Sequence, residues 1–253
     1  MWQVRRRQTA LAAMTRLAGL DSLTGLANRA TFNAALFAEL ADELSPDTTV
    51  LFVDLEDFKG VNDVFGHGAG DDLLREVGAR LRRVTRPGDL CSRLGGDEFA
   101  VLLRGTGSAG AEHVAPRIVE AIAATMHLRG RVVHIGASVG VATATGERDI
   151  EQLIHRADLA MYAAKAKGSS CIQVFEPALL EARSSQVAFE RQLSAAADND
   201  EFIVHYQPVL SLPEGRCTAV EALVRWRHPE RGLLYPDSFI DAAERIGAIG
   251  DIG

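Results

Sequence analysis

The feature that most constrains this chain is Gly95-Gly96-Asp97-Glu98, set between two apolar runs, Leu90 to Leu94 and Phe99 to Leu103. Paired glycines between apolar segments of strand length predict a β-hairpin, because glycine takes the backbone angles of a tight turn and lets a ligand approach closely. The hairpin would carry two carboxylates at its tip. A second pair, in Asp54-Leu-Glu56, ends the apolar run Val50-Leu-Phe-Val53, the pattern of a buried strand delivering an acid at its end. Period-two geometry points Asp54 and Glu56 to one side, with Leu55 opposite. Together the two pairs could hold Mg²⁺, a hard cation that takes oxygen ligands and keeps a substrate phosphate in its shell. Taken singly, each pair is also the pattern of a solvated strand end.

Around these acids the chain alternates irregularly between strand and helix patterns. Asp21-Ser-Leu-Thr-Gly-Leu-Ala-Asn28 is rich in turn formers and precedes a helix with Phe32, Leu36, Phe37 and Leu40 on one face. Helices are expected from Phe58 to Phe65, Asp71 to Val84, Ala109 to Met126 and Ile150 to Ala166. Strands are expected from Val132 to Val141, broken at Gly136, and from Ile172 to Phe175. That order predicts an α/β chain of the α+β kind, helices packed on a mostly antiparallel sheet. Leu11, Met14 and Leu17, behind Arg5, Arg6 and Arg7, read as a connector helix over residues 1–19. The first domain spans 20–176, and an Ala-rich linker helix with Leu179, Val187 and Leu193 spans 177–200. In 201–253, Phe202 to Leu210 and Thr218 to Trp226 read as strands joined by Pro213-Glu-Gly215, and Pro236 to Ile246 as a helix, so this second unit has barely begun.

The formal net charge of −7 excludes broad nucleic-acid binding, which needs a basic face to displace counterions. Phosphate must instead be held locally. Only Lys59, Lys165 and Lys167 among 27 basic residues are lysines, compact point charges suited to a phosphate oxygen. Cys91, Cys171 and Cys217 are odd in number and far apart, which reads as reduced thiols in the cytoplasm. No apolar run is long enough to cross a bilayer, so any membrane anchor would lie upstream. Gly105-Thr-Gly107-Ser-Ala-Gly110 has dinucleotide-binding spacing, but it follows a hairpin strand, and no acid stands near Thr125 to Leu128 where a ribose contact belongs. No Walker-type loop is present. His67, between two glycines, reads as a turn histidine capping backbone groups, with a ligand or base as the alternative.

Five ordered segments resemble the GGDEF family of diguanylate cyclases: Asp21-Ser-Leu-Thr-Gly-Leu-Ala-Asn-Arg29, Asp54-Leu-Glu-Asp-Phe-Lys-Gly-Val-Asn-Asp63, Gly66-His-Gly-Ala-Gly-Asp71, Arg93-Leu-Gly-Gly-Asp-Glu-Phe99 and Ala157-Asp-Leu-Ala-Met-Tyr-Ala-Ala-Lys165. The resemblance implies a sheet like that of nucleotidyl cyclases and polymerase palms, and condensation of two GTP into cyclic diguanylate by two domains meeting face to face as a homodimer. It implies that Asp54, the Leu55 carbonyl and Asp97 hold Mg²⁺ or Mn²⁺. Asn62 and Asp71 would hydrogen-bond guanine, Lys59 and Lys165 would hold phosphates, and Gly95 and Gly96 would let the substrate approach. Glu98 would assist deprotonation of the attacking hydroxyl or add to the metal site. Arg86-Pro-Gly-Asp89 stands where many members carry a product-inhibition site for cyclic diguanylate, and an ordinary turn has the same pattern.

Two residues depart from the family's usual pattern, Glu56 where an Asp is common and Ser169 where an arginine often stands. The second unit, Tyr206-Gln-Pro-Val through Glu221-Ala-Leu-Val-Arg-Trp226, resembles the start of EAL phosphodiesterases, which hydrolyse cyclic diguanylate in a TIM-barrel-like fold. Glu221 would be one metal ligand there. The other ligands would come from later strands, so no phosphodiesterase activity is expected of this chain. The rival to catalysis is a silent GTP-binding domain that regulates an attached phosphodiesterase.

Overall fold

Strand β1, Thr49–Leu55, is buried along its whole length and forms the centre of a five-stranded sheet. It pairs antiparallel with β3, Glu98–Leu103, on one side and with β6, Ala137–Thr143, on the other. Strand β2, Leu90–Gly95, pairs antiparallel with β3 and closes one edge, while β7, Ile172–Val174, runs parallel to β6 and closes the other. The order is therefore β2-β3-β1-β6-β7, mostly antiparallel as the pattern predicts. The computed structural model describes residues 19–42, 47–144, 146 and 149–252. The expected connector helix around Leu11, Met14 and Leu17 lies outside the described residues.

Helices cover both faces, which is why β1 reads as a continuous apolar run rather than an alternating one. Leu51, Val53 and Leu55 pack with α2, Phe58–Phe65, α3, His67–Val84, and α4, Ser108–Ala123. Val50 and Phe52 face α1, Arg29–Ala41, and α5, Ile150–Lys167. On α1 the buried stripe is Phe32, Leu36 and Leu40, and Phe37 is 63 % exposed, contrary to the expected face. One residue is a 100° step around a helix, which carries Phe37 off the stripe. Helix α3 begins at His67, four residues earlier than expected, because the glycine-rich run is itself helical. Between α4 and β6 the chain makes a small hairpin, β4 Met126–Leu128 with β5 Arg131–Val133, turned at Arg129 and Gly130. It occupies residues expected to fall partly in a helix end and partly in one long broken strand.

The described residues form two compact units that divide at Leu179 and Leu180. The second is built on a long antiparallel pair, β8 Phe202–Leu210 and β9 Cys217–His228, extended by β10 Gly232–Leu234. Its core gathers Trp226 and Phe239 with Leu193 and Ala196 of α6, Ala178–Ala196, and Ala242 and Ala243 of α7, Ile240–Ile246. The stretch read as a linker thus packs into this unit's core. A 3-10 turn at Pro236–Ser238 is separated from α7 by Phe239, where one helix was expected.

Candidate active site

The β1–β3 ladder sets Asp54 directly opposite Glu98. The hairpin between β2 and β3 has Gly95 paired with Glu98, so Gly96 and Asp97 form its tip, and Gly95 and Gly96 have φ of 150° and 52°. These angles lie outside the range ordinary residues favour and account for the paired glycines. The Leu55 N–H donates to the Asp97 carbonyl at 3.3 Å, joining the strand end to the hairpin tip. The structure therefore brings Asp54, Leu55, Asp97 and Glu98 together from two distant segments.

Lys165, near the end of α5, joins them: its Nζ lies 2.6 Å from an Asp54 oxygen. Asp54 is 7 % exposed, and a buried carboxylate requires a compensating partner. The Asp54 hydrogen bond is the main cause that raises the Lys165 pKa; burial opposes it, and the charges of Asp54, Asp97 and Glu56 add to it. Three carboxylates thus act on one ammonium, an excess of negative charge suited to a further cation. Among the described residues no group of three His, Cys, Asp or Glu side chains is gathered as a metal cage. The donors at hand are two carboxylates and a backbone carbonyl, all hard oxygens, which fits Mg²⁺ with its remaining positions left to water and phosphate.

Sequence reasoning missed what braces the hairpin. Arg93 donates to the Gly96 carbonyl from Nε at 3.0 Å and Nη2 at 2.7 Å, and its Nη1 reaches Asp21 at 3.2 Å. Asp21 also accepts from the Thr24 N–H at 2.8 Å and hydroxyl at 2.7 Å. Partial burial is the largest single influence on Asp21 and acts to raise its pKa, but Thr24 and Arg93 together bring it below the usual value. Arg29 donates to the Leu94 carbonyl at 3.1 Å and pairs with Glu98 at 3.3 Å. The turn-rich segment before α1 is thus the hairpin's support. Its sequence signal was the two arginines, Arg29 and Arg93, each at the end of a segment singled out for other reasons. A cleft of about 410 Å³ opens beside Glu98 and Arg29, with Phe52, Phe99, His155 and Met161 in its lining.

Asn62 stands on α2 and Asp71, exposed, on α3. A Cβ on Gly70 would stand 2.1 Å from Asn62 Oδ1, so glycine there lets the amide lie against the residue preceding Asp71. Lys59 is exposed on α2, and His67 is exposed in the first turn of α3. Arg86 and Asp89 lie beyond the far end of β2, roughly 17 Å of strand from the hairpin tip. They pair with each other at 3.1 Å, and the Arg86 guanidinium also donates to the Arg104 carbonyl and the Thr106 hydroxyl. Glu221 stands on β9 opposite Gln207, exposed.

The family model described as "Diguanylate cyclase, GGDEF domain" matches residues 18–171. The chain belongs to the GGDEF family. The EAL domain model follows over residues 190–253, so this is a GGDEF domain followed by the start of an EAL domain. The cyclic di-GMP phosphodiesterase NbdA of Pseudomonas aeruginosa is 39% identical over 244 residues, 95% of this chain and 31% of that protein. The bifunctional diguanylate cyclase/cyclic di-GMP phosphodiesterase MucR of the same organism is 37% identical over 95% of this chain and 36% of its own length. The chain spans about a third of these curated relatives. Among solved structures, the GGDEF domain of YfiN from P. aeruginosa superposes with a TM-score of 0.58 at 38% identity, over 60% of this chain and 98% of that one. The coiled coil and GGDEF domain of DgcB from Caulobacter crescentus, in complex with c-di-GMP, superposes with a TM-score of 0.64 at 27% identity, over 68% of this chain and 93% of that one.

Proposed function

We propose that the GGDEF unit is a diguanylate cyclase that binds one GTP and becomes a complete catalyst when a second copy brings another. The observation that carries this reading is the union of Asp54, the Leu55 backbone, Asp97 and Lys165 at one end of the central strands. Asn62 and Asp71 supply an amide and a carboxylate, the groups that read the donors and acceptors of a guanine edge. Lys59 and Lys165 hold phosphate oxygens as point charges. Asp54, the Leu55 carbonyl and Asp97 would hold Mg²⁺ or Mn²⁺, which neutralises charge on the triphosphate.

In the reaction, the 3′-oxygen of one GTP forms a bond to the α-phosphorus of the other, and the α-phosphorus bond to the bridging oxygen breaks, releasing pyrophosphate. Glu98 accepts the hydroxyl proton and passes it to water. Arg29 orients Glu98, and the cleft beside them receives the ribose end of the second copy's GTP. Performed twice, the step closes the ring, and the chain contributes chiefly positioning and charge. GTP is a cytoplasmic substrate, and we place this unit there; none of the described helices is long and apolar enough to cross a membrane. Arg86 and Asp89 would take cyclic diguanylate as an inhibitor.

The name of NbdA as a phosphodiesterase keeps a second reading in view, in which this unit binds GTP and regulates an attached EAL domain without turning over. Incubation with GTP and Mg²⁺ and chromatography of the products decides between them, with Asp97→Ala alongside. Cyclic diguanylate from the parent and none from the variant supports the cyclase. GTP binding without product supports the regulator.

A further inference from the structure

Glu56 is not among the groups assigned above to metal and substrate; its charge acts on Lys165, but its side-chain hydrogen bonds run to three serines. One oxygen accepts from the Ser138 hydroxyl at 2.8 Å and from the Ser170 backbone N–H at 2.8 Å, and the other accepts from the Ser169 hydroxyl. Ser138 lies on β6 directly opposite Asp54, whereas Ser169 and Ser170 follow the C-terminus of α5. The carboxylate therefore ties the end of α5 to the sheet. Ser170 has a φ of 56°, a left-handed conformation that a non-glycine residue keeps only where its surroundings fix it. The bond from its N–H to Glu56 is such a fixing contact. Space for the carboxylate comes from Gly136, where a Cβ would lie 2.1 Å from Glu56 and 2.8 Å from the Ser169 hydroxyl.

Lys165 stands four residues before Ser169, about one helical turn, and its Nζ is the group on Asp54. We propose that Glu56 is a positioning residue that latches the end of α5 through Ser169 and Ser170 and so holds Lys165 over Asp54. The two departures from the family's usual residues are one feature, because they bind each other. Glutamate has the extra methylene that reaches Ser169, and a hydroxyl at 169 completes the latch without a competing charge. Ser169 is spent on Glu56, which leaves the triphosphate to Lys59 and Lys165.

A double-mutant cycle between Glu56→Ala and Lys165→Ala tests this, read in GTP affinity by calorimetry and in turnover; only the turnover readout rests on the cyclase reading. Glu56→Ala alone is expected to lower kcat/KM by about 10- to 100-fold, the usual effect of removing a supporting contact behind a working group. In the Lys165→Ala background the same change is expected to cost less than about threefold, because its target is already gone. Glu56→Gln keeps the length and can accept from Ser170 while its amide donates to Ser169, so it is expected to retain most of the parent's rate. A full additional loss in the Lys165→Ala background overturns the proposal, since general weakening of the fold acts in both backgrounds. So does a Glu56→Ala variant with unaltered GTP affinity and turnover. A parent that binds GTP and makes no product refutes the cyclase reading and leaves the cycle readable in affinity. A parent that binds no GTP overturns both.

Discussion

Gly140→Ala should move helix α5 and, through it, Lys165. Gly140 lies on β6 opposite Phe52, and a Cβ there would stand 2.1 Å from the Met161 backbone nitrogen and 2.2 Å from the Ala157 carbonyl oxygen. Ordinary contacts are about 3.5 Å, so the helix must lift by roughly 1 Å or more. The atoms in the way are main chain, and no side-chain rotation relieves them. Overpacking of this kind costs about 1–3 kcal/mol, which in a chain of this size is a fall in Tm of roughly 2–12 °C. Met161 is one turn from Lys165, and a misplacement of about 1 Å near the reacting groups can lower turnover by about 100-fold. Melting followed by circular dichroism and a cyclase assay read the two effects. Gly250→Ala in the second unit is the control, since a Cβ there meets nothing within 4 Å. A Gly140→Ala chain with the parent's Tm and rate would refute the close packing of α5 on β6 and its role in placing Lys165.

Other consequences follow from the same geometry. Asp21→Asn should lower stability at pH 7 by about 1–2 kcal/mol, the scale of its hydrogen bonds to Thr24 and Arg93. The Asp21 pKa is lowered in the fold, so its contribution is complete above the unfolded value of about 3.9 and is lost as pH falls through the native one. Urea unfolding should show the gap between parent and variant narrowing below about pH 4, and a gap constant to pH 2 would count against it. Glu98→Gln should retain GTP affinity and lower turnover by about 100-fold or more, as loss of a general base does; normal turnover would dismiss Glu98 from that role. Arg86→Ala should relieve inhibition by cyclic diguanylate by at least about tenfold, the loss of one charged contact, measured as the shift in half-inhibitory concentration. Unchanged inhibition would remove Arg86 and Asp89 from product recognition.

Much of the sheet was legible because its strands are continuous apolar runs ended by acids or turn formers, as at Val50 to Val53 and around Gly95 and Gly96. The β4–β5 hairpin was not, because Arg129 takes a left-handed conformation that sequence does not advertise and the strands are only three residues each. The early start of α3 was hidden by glycines that usually end helices, one of which, Gly70, here serves the approach to Asn62. At the site, the acids could be named from their positions at strand ends. Their supports could not: Arg29 to Glu98 and Arg93 to Asp21 join residues about 70 apart in the chain, a pairing only the fold reveals. The same holds for Glu56 and Ser169, each visible as a departure, whose contact with the other came from the structure.

The most direct test of the central claim is cyclic diguanylate formation from GTP and Mg²⁺ measured across chain concentration. The account predicts product whose rate per chain rises with concentration, because each GGDEF domain holds half of the reacting pair, and predicts none from Asp97→Ala. Binding of GTP with no product at any concentration, and none from a chain dimerised by a fused coiled coil, would contradict it.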